Sequence, residues 1–455
     1  MRKHSVKFWI AFWSIAAVFL AGWYFFCEIK NQGMRSLEPT VNFLPMSQEI
    51  KDRFKAVACL SDEFLKNDGQ EKVFLVLFQN NLELRPGGGF IGSFGILKIK
   101  NKRVISFNVY DTGNFDGRIP DITEPPYPME KTLRIKSWKL RDSNYSPDFK
   151  VNAEKAREFY YMGGGEEEFD GIIAITANVL ASFLKITGPI TIEGYPGIYN
   201  SDNAVISLEH QVEKDYARQG IEKGERKSVM NELGGEIIKR ISALNNSQKL
   251  KLIQIVIDDL NRKDIQLYFK KPELQKMAEN LGWAGRVDEN WEKDYLMAVD
   301  ANLGAYKSDY YVKRSIDYSV DLTKEKPEAV LKITYNHTAR QKDWMTKDYL
   351  TYLRVYAPKD SWLNEYKNSG VPRFGSEFGK KYFGFLVDVP LGQSRTIELR
   401  YILPKSVREN YNLLIQKQAG LNDTPVKINI KSKNGAEENY DIMLNKDFVL
   451  DSPLE

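Results

Sequence analysis

Residues Phe8–Phe26 (FWIAFWSIAAVFLAGWYFF) contain no charged side chain, and this run constrains the chain more than any other. It is long enough to cross a bilayer as a helix, the form in which a segment satisfies its own backbone N–H and C=O groups. Arg2, Lys3 and Lys7 precede it, and Trp9, Trp13, Trp23 and Tyr24 lie towards its ends, where amphipathic rings sit at a membrane interface. A cleavable leader would have a shorter apolar region followed by small residues, where this chain has Tyr24, Phe25 and Phe26. Residues 1–28 therefore read as a cytoplasmic tip and an uncleaved signal-anchor. The expectation is a single-pass protein of the cell membrane, with a cytoplasmic N-terminus and an extracytoplasmic bulk. The lipid bilayer is its first expected partner.

Composition narrows the chemistry. A net charge of +4 from 65 basic and 61 acidic residues leaves no bulk attraction to nucleic acid, and none is expected as a partner. Cys27 and Cys59 do not make a disulfide framework. With only His4, His210 and His337, a histidine zinc site or a Ser-His-Asp triad is excluded in practice. Any chemistry must rest on carboxylates, arginines, lysines, hydroxyls or a hard metal ion.

Residues 29–70 read as a stalk followed by a packing helix over Ser47–Lys66. An α/β domain is expected over 71–295. Its strands are Val73–Phe78, Phe94–Ile99 and Val104–Val109, short apolar runs rich in β-branched and aromatic residues. A long loop, Asp111–Ser137, precedes a helix that Asn152 can cap and Gly163–Gly165 end. The strand Asp170–Ile175, the helix Asn178–Ile186 and the strand Ile190–Ile192 continue a β-α-β alternation, the pattern of a layered α/β domain. Helices follow over Asp202–Arg218, Arg226–Leu244, Gln248–Leu260 (with Ser247 as N-cap) and Pro272–Leu281. From about Glu292 the texture changes to alternating segments separated by proline and glycine turns, from Tyr310–Leu322 to Tyr440–Leu444. That pattern predicts an antiparallel β-sandwich over 296–455.

Three clusters can carry chemistry. Arg85 precedes Gly87, Gly88 and Gly89 at a strand end, where backbone N–H groups are open to a ligand. Arg141, Asp142 and Asp148 lie just before a helix, and Lys223, Glu225, Arg226 and Lys227 open another. Converging arginines and helix N-termini make an anion site, with phosphate the natural guest. Neighbouring aspartates can hold a hard cation such as Mg2+. Each cluster also reads as a tight turn, a surface ion pair or a helix cap, and both readings stand at this level.

The stretches VFLVLFQNNLELRPGGGFIGSFGIL, LRDSNYSPDF, LASFLKITGPITIEG and VDANLGAYKSDYYVKRSI resemble a bacterial membrane-anchored family known as domain of unknown function 4012, from roughly Val73 to Gly420. More distantly, the order of elements is similar to the LytR-CpsA-Psr domain, whose members transfer glycopolymers from polyprenyl-pyrophosphate carriers with arginines and magnesium-binding aspartates. That resemblance implies an α-β-α layered domain followed by an immunoglobulin-like sandwich. It implies a phosphotransferase acting on lipid-linked glycan, with Mg2+ as cofactor and a polyprenyl-phosphate glycan as partner. Arg85, Arg141 and Arg226 would neutralise the pyrophosphate, with Asp142 beside them as a catalytic carboxylate. Gly87, Gly88, Gly89, Ser93 and Arg118 would bind ligand, and Asp111 and Asp148 would hold metal. Phe94 and Tyr110 stand where that family has an aspartate and an arginine, so its metal pattern is incomplete here. The alternative expectation is a non-catalytic cell-surface module that binds through the sandwich or serves as a structural spacer.

Overall fold

The computed structural model describes residues 47–64, 67–101, 103–222 and 228–451. The apolar segment Phe8–Phe26 and the cluster Lys223–Lys227, with Arg226, lie outside the described residues. Among the described residues no helix is long and apolar enough to cross a membrane.

The strand β1 (Glu71–Asn80) is apolar on both faces, and both faces are covered. Phe74, Val76 and Phe78 point into one core and Val73, Leu75 and Leu77 into another. β1 pairs antiparallel with β2 (Phe90–Lys100), which pairs with β3 (Arg103–Asp111). On its other side β1 pairs parallel with β4 (Gly171–Thr176). The short β5 (Ile190–Ile192) and β6 (Tyr195–Tyr199) form a separate ribbon, so Ile190–Ile192 does not extend the main sheet as the β-α-β pattern implied. β7 (Ile265–Phe269) closes the order β3-β2-β1-β4-β7.

Helices lie on both faces of this mixed sheet. One core takes α1 (Gln48–Phe64), and α2 (Thr112–Asp116) and α3 (Phe149–Met162) cover the opposite face. α4 (Asn178–Thr187), α5 (Ala204–His210), α6 (Ser228–Ser242), α7 (Asn246–Asn261) and α8 (Pro272–Asn280) join the first core. The caps differ from expectation by a few residues. Asp148, not Asn152, caps α3, accepting from the N–H groups of Lys150 and Val151. Asn245, not Ser247, caps α7 in a capping box with Gln248.

The second half forms two six-stranded sheets. Its strands are β8 (Asp294–Asn302), β9 (Val312–Asp321), β10 (Glu328–His337), β11 (Tyr349–Pro358), β12 (Trp362–Lys367) and β13 (Arg373–Glu377). They continue as β14 (Lys380–Val389), β15 (Ser394–Ile402), β16 (Asn412–Ile415), β17 (Thr424–Lys431), β18 (Glu437–Leu444) and β19 (Phe448–Asp451). The sheets run β12-β15-β10-β9-β17-β18 and β13-β14-β11-β8-β16-β19, and one core that includes Leu331, Leu353, Phe385, Leu399 and Ile428 joins them. The sandwich is not wholly antiparallel: β16 runs parallel to β8, and β17 parallel to β9. The expected boundary at 295 falls at the start of β8, a strand buried along its whole length.

The two halves meet at the glycine-bearing loop after β1. Arg85 is 1% exposed. Its Nε donates to Asp142 at 2.8 Å, its Nη2 to Glu83 at 2.9 Å, and its Nη1 to the Asn302 carbonyl of β8 at 2.9 Å. The Leu84 N–H donates to Asp309 Oδ2, and the Asn302 N–H to the Leu84 carbonyl. Gly87 forms a parallel bridge to Ala419, and Gln418 Nε2 donates to the Arg85 carbonyl at 3.1 Å. Lys307, in the segment between β8 and β9, pairs with Glu209 of α5 at 3.5 Å.

Two outcomes follow for stability. Arg85→Met strands the buried carboxylate of Asp142 and the partly buried one of Glu83 and should lower the unfolding free energy by about 3–5 kcal/mol in denaturant titration. Burial raises the Asp309 carboxyl to about 6 from an ordinary 3.8, against the pull of its hydrogen bonds from Leu84, Asn302 and Tyr349. The folded protein therefore keeps a proton that the unfolded chain loses between those values. Stability contributed by this group is present below pH 4 and lost as pH rises through 6, by about 3 kcal/mol. Asp309→Asn should remove that portion of the slope in unfolding curves measured across the window.

Candidate functional site

A cavity of about 350 Å³ opens at the carboxyl ends of the parallel pair β1 and β4, where ligand sites of open α/β sheets form. Phe78, Gln79 and Asn80 from β1, with Ile175 and Thr176 from β4, supply its floor. One wall is apolar: Ala177 and Leu180 at the start of α4 face Val205 and Leu208 of α5 and Val212 of the π-type turn that continues it. The side formed by β2 and β3 is polar apart from Phe90. It comprises Phe90, Gly92 and Ser93 of β2, Asp111 at the end of β3, Gly113 of α2, and Arg141. Glu83, Glu209, Glu213 and Lys307 also line the cavity, the last reaching in from the sandwich.

The local backbone explains the polar end. β1 shifts register against β2 between Phe78 and Gln79, a bulge of the kind that re-aims side chains. Gln79 is 2% exposed, and neither its Oε1 nor its Nε2 has a hydrogen-bond partner. Gly88 makes room for it: at φ +137°, a Cβ on Gly88 would lie 1.8 Å from Gln79 Oε1. The loop that reads in the sequence as an anion cradle thus holds an amide side chain in place.

Charges around the cavity are paired. Arg141 bonds through Nε to Asp116, whose carboxyl is raised by burial against the pull of that arginine. Burial opposes the Lys307 ammonium, but Glu209, Glu213 and Glu83 outweigh it and hold its pKa above the ordinary lysine value. Asp111 caps α2, accepting from the Asn114 N–H at 3.0 Å.

Of the residues singled out from sequence, the cavity gathers Ser93, Asp111 and Arg141. Arg85 and Asp142 meet each other in the buried joint instead. Gly87, Gly88 and Gly89 belong to that joint too: Gly87 donates to the Asn144 carbonyl, and Gly89 accepts from Asn144 Nδ2. Asp148, expected as a metal ligand, is fully buried and accepts from the N–H groups of α3, from Arg286 Nε at 2.7 Å and from the Val287 N–H at 3.0 Å. Both of its oxygens thus accept from donors of the fold. Arg118 is exposed and lies over the Phe115 ring. Among the described residues no group of three His, Cys, Asp or Glu side chains is placed to hold a metal ion. Gln79, Glu209 and the apolar wall of α5 carried no sequence signal beyond helical spacing and a strand end.

A mixed α/β sheet with a cavity at its parallel strand ends, joined to a β-sandwich that contributes Lys307 to the lining, is the architecture of this chain. Residues 69–212 match the family described as protein of unknown function (DUF4012). The match covers every cavity residue named above except Glu213 and Lys307, and stops short of the sandwich, whereas the resemblance of the quoted stretches runs on to about Gly420. No curated protein matches the chain. A crystal structure of Legionella pneumophila aminopeptidase A with aspartic acid aligns at 18% identity over 29% of this chain and 17% of that one, with a TM-score of 0.18. The chain thus spans under a fifth of that enzyme, and the overlap carries no argument about fold or activity.

Gly88→Ala should displace the Gln79 amide and strain the loop, lowering stability by about 1–3 kcal/mol. Adding Gln79→Ala should recover part of that loss, because it removes the overlap and leaves only the backbone strain. A double-mutant cycle in denaturant reads the coupling.

Proposed function

We propose that this chain is a membrane-anchored extracytoplasmic envelope protein whose α/β domain binds a polyprenyl-(pyro)phosphate-linked glycan. The prenyl chain lies along the wall made by Leu180, Val205, Leu208 and Val212, and the phosphate end lies near Ser93 and Arg141. The observation that carries this reading is the division of one cavity into an apolar wall and a polar end bearing Ser93, Asp111 and Arg141. Amphiphiles with a long apolar part and a small polar head fit that division.

The rim bears more carboxylates than cations, which by itself opposes a phosphate. Mg2+ resolves the conflict, because it is commonly held by one or two carboxylates together with phosphate oxygens. Asp111 and Glu83 of the lining would share it in exchange for part of their bonds to Asn114 and Arg85, and it would screen the charge of the bound head group. Binding is favoured over transfer, since Arg85, Asp142 and Asp148, which a transfer step would need, are engaged in internal pairs.

A second reading rests on the sandwich. Trp362, Tyr366 and Phe374 are exposed on β12 and β13, the edge strands of its two sheets. That apolar edge suits contact with another envelope component in a purely non-catalytic module.

Full-length protein in detergent should bind farnesyl phosphate saturably, more tightly with Mg2+ than with a chelator. Leu208→Trp should weaken binding by about tenfold or more. Absence of binding, or binding indifferent to Leu208→Trp, would remove the proposal. Turnover of a labelled lipid-linked glycan would restore the transfer reading.

A further inference from the structure

The segment between β8 and β9 borders two cavities. Lys307 lines the one beneath α5. Asp309, two residues on, lines a second of about 320 Å³ on the sandwich side of the joint, together with Asn81. The segment is held from both ends. Asn302 Nδ2 donates to the Tyr306 carbonyl at 2.8 Å and to Asp309 Oδ2 at 2.7 Å, and its Oδ1 accepts from the Gly304 N–H. The Asp309 N–H donates to the Leu82 carbonyl, and Asp309 Oδ1 accepts from Tyr349. Between these pins Ala305 takes φ +56°, a left-handed conformation that a residue with a Cβ adopts at a cost. Such strain persists where the surroundings impose it. What this arrangement delivers is Lys307, a cation from the sandwich set against a cavity built by the other half.

Lys307 stands at the polar end of that cavity. Its Nζ lies 3.5 Å from Glu209 Oε2, and Glu209 Oε1 accepts from Asn80 Nδ2 at 3.0 Å. Asn80 ends β1, two residues beyond Phe78, whose ladder partner is Ser93; Ser93 in turn lies opposite Asp111.

Among the described lining residues the cations are Arg141 and Lys307, and Arg141 is committed through Nε to Asp116. The contact of Lys307 with Glu209 is longer than the roughly 3 Å of an ordinary N–H···O bond. The Lys307 side chain is 18% exposed, so water reaches it. An ammonium carries three donors on a flexible stem, and it can turn from Glu209 to a guest without moving the backbone. Glu209 would keep the Asn80 amide as its donor. The rim carboxylates alone would have served a cationic guest; a lysine pinned beside them repels one and favours an anion.

We infer that Lys307 reads the head group: the sandwich supplies the ammonium that distinguishes a phosphate-bearing lipid from its uncharged alcohol, and it leaves Glu209 as it does so. The inference rests on the proposed lipid site and names a residue that sets its specificity.

The test titrates full-length protein in detergent, with Mg2+ present, with farnesyl phosphate, farnesol and farnesylamine by calorimetry. Farnesyl phosphate should bind most tightly. Lys307→Gln should weaken it about tenfold while farnesol binding stays as in the unaltered chain, and Lys307→Arg should keep most of the affinity. Glu209→Gln, which leaves Asn80 an acceptor but frees the ammonium, should tighten farnesyl phosphate severalfold without changing farnesol. That arm reads the inference even where the Lys307→Gln protein fails to fold. Farnesyl phosphate binding unchanged by either substitution, or an equal loss for farnesol, would overturn the assignment of Lys307 and leave the lipid site standing. Tighter binding of farnesylamine than of farnesyl phosphate, or no binding of farnesyl phosphate by the unaltered chain, would remove both.

Discussion

A guanidinium taken out of water is costly to bury, and acceptors on its donating edges offset that cost. Arg85 meets that condition with groups from three places: Glu83 two residues away, Asp142 in the segment before α3, and the Asn302 carbonyl of β8. The glycines after it follow from the same requirement. The chain must turn back against Asn144, bridge to Ala419 and leave space for Gln79, all within a few residues. Gly420 shows the closeness from the other side: at φ +72°, a Cβ there would lie 2.0 Å from the Gly88 carbonyl oxygen. The α/β half and the sandwich are consequently one folded unit around a charge network, with no free linker at the joint.

Much of the fold was legible because it is written in local pattern. β1 is apolar at successive positions and is buried on both faces; the alternation in β9, β10 and β17 matches their in-and-out burial. The elements that escaped reading have the opposite character. β12 (WLNEYK) and β13 (RFGSE) are edge strands largely exposed on both faces, so neither periodicity marks them. β7 is short and lies between helices, and its place in the sheet depends on β4, nearly a hundred residues earlier in the chain. The site was less legible than the fold, for a related reason. An arginine next to glycines looks alike whether it faces solvent, a phosphate or a buried aspartate. Two of its three partners here are 57 and 217 residues away, beyond any short-range pattern. Ser93, Asp111 and Arg141 do share a cavity, yet Gln79, at its polar end, reads in the sequence only as part of a strand end.

The end of β1 also separates the two cavities. Asn80 lines the one beneath α5, while Asn81, next in the chain, lines the one in the sandwich. Asn80 Nδ2 donates to Glu209, and Asn81 Nδ2 to Gly420. A single peptide unit thereby belongs to both walls, and its position is held from each side by groups that face different cavities.

Asp447, between β18 and β19, accepts from Lys263 Nζ and from the Lys417 N–H, while Lys417 Nζ donates to the Arg262 carbonyl at the end of α7. These bonds close loops of up to 184 residues, and loop closure of that length must be met before any local gain follows. The seam is therefore assembled late. A chain emerging in order from its amino end builds the mixed sheet first, keeps the face around Lys263 wet through synthesis of nearly the whole sandwich, and seals it only when the connection between β18 and β19, which carries Asp447, arrives.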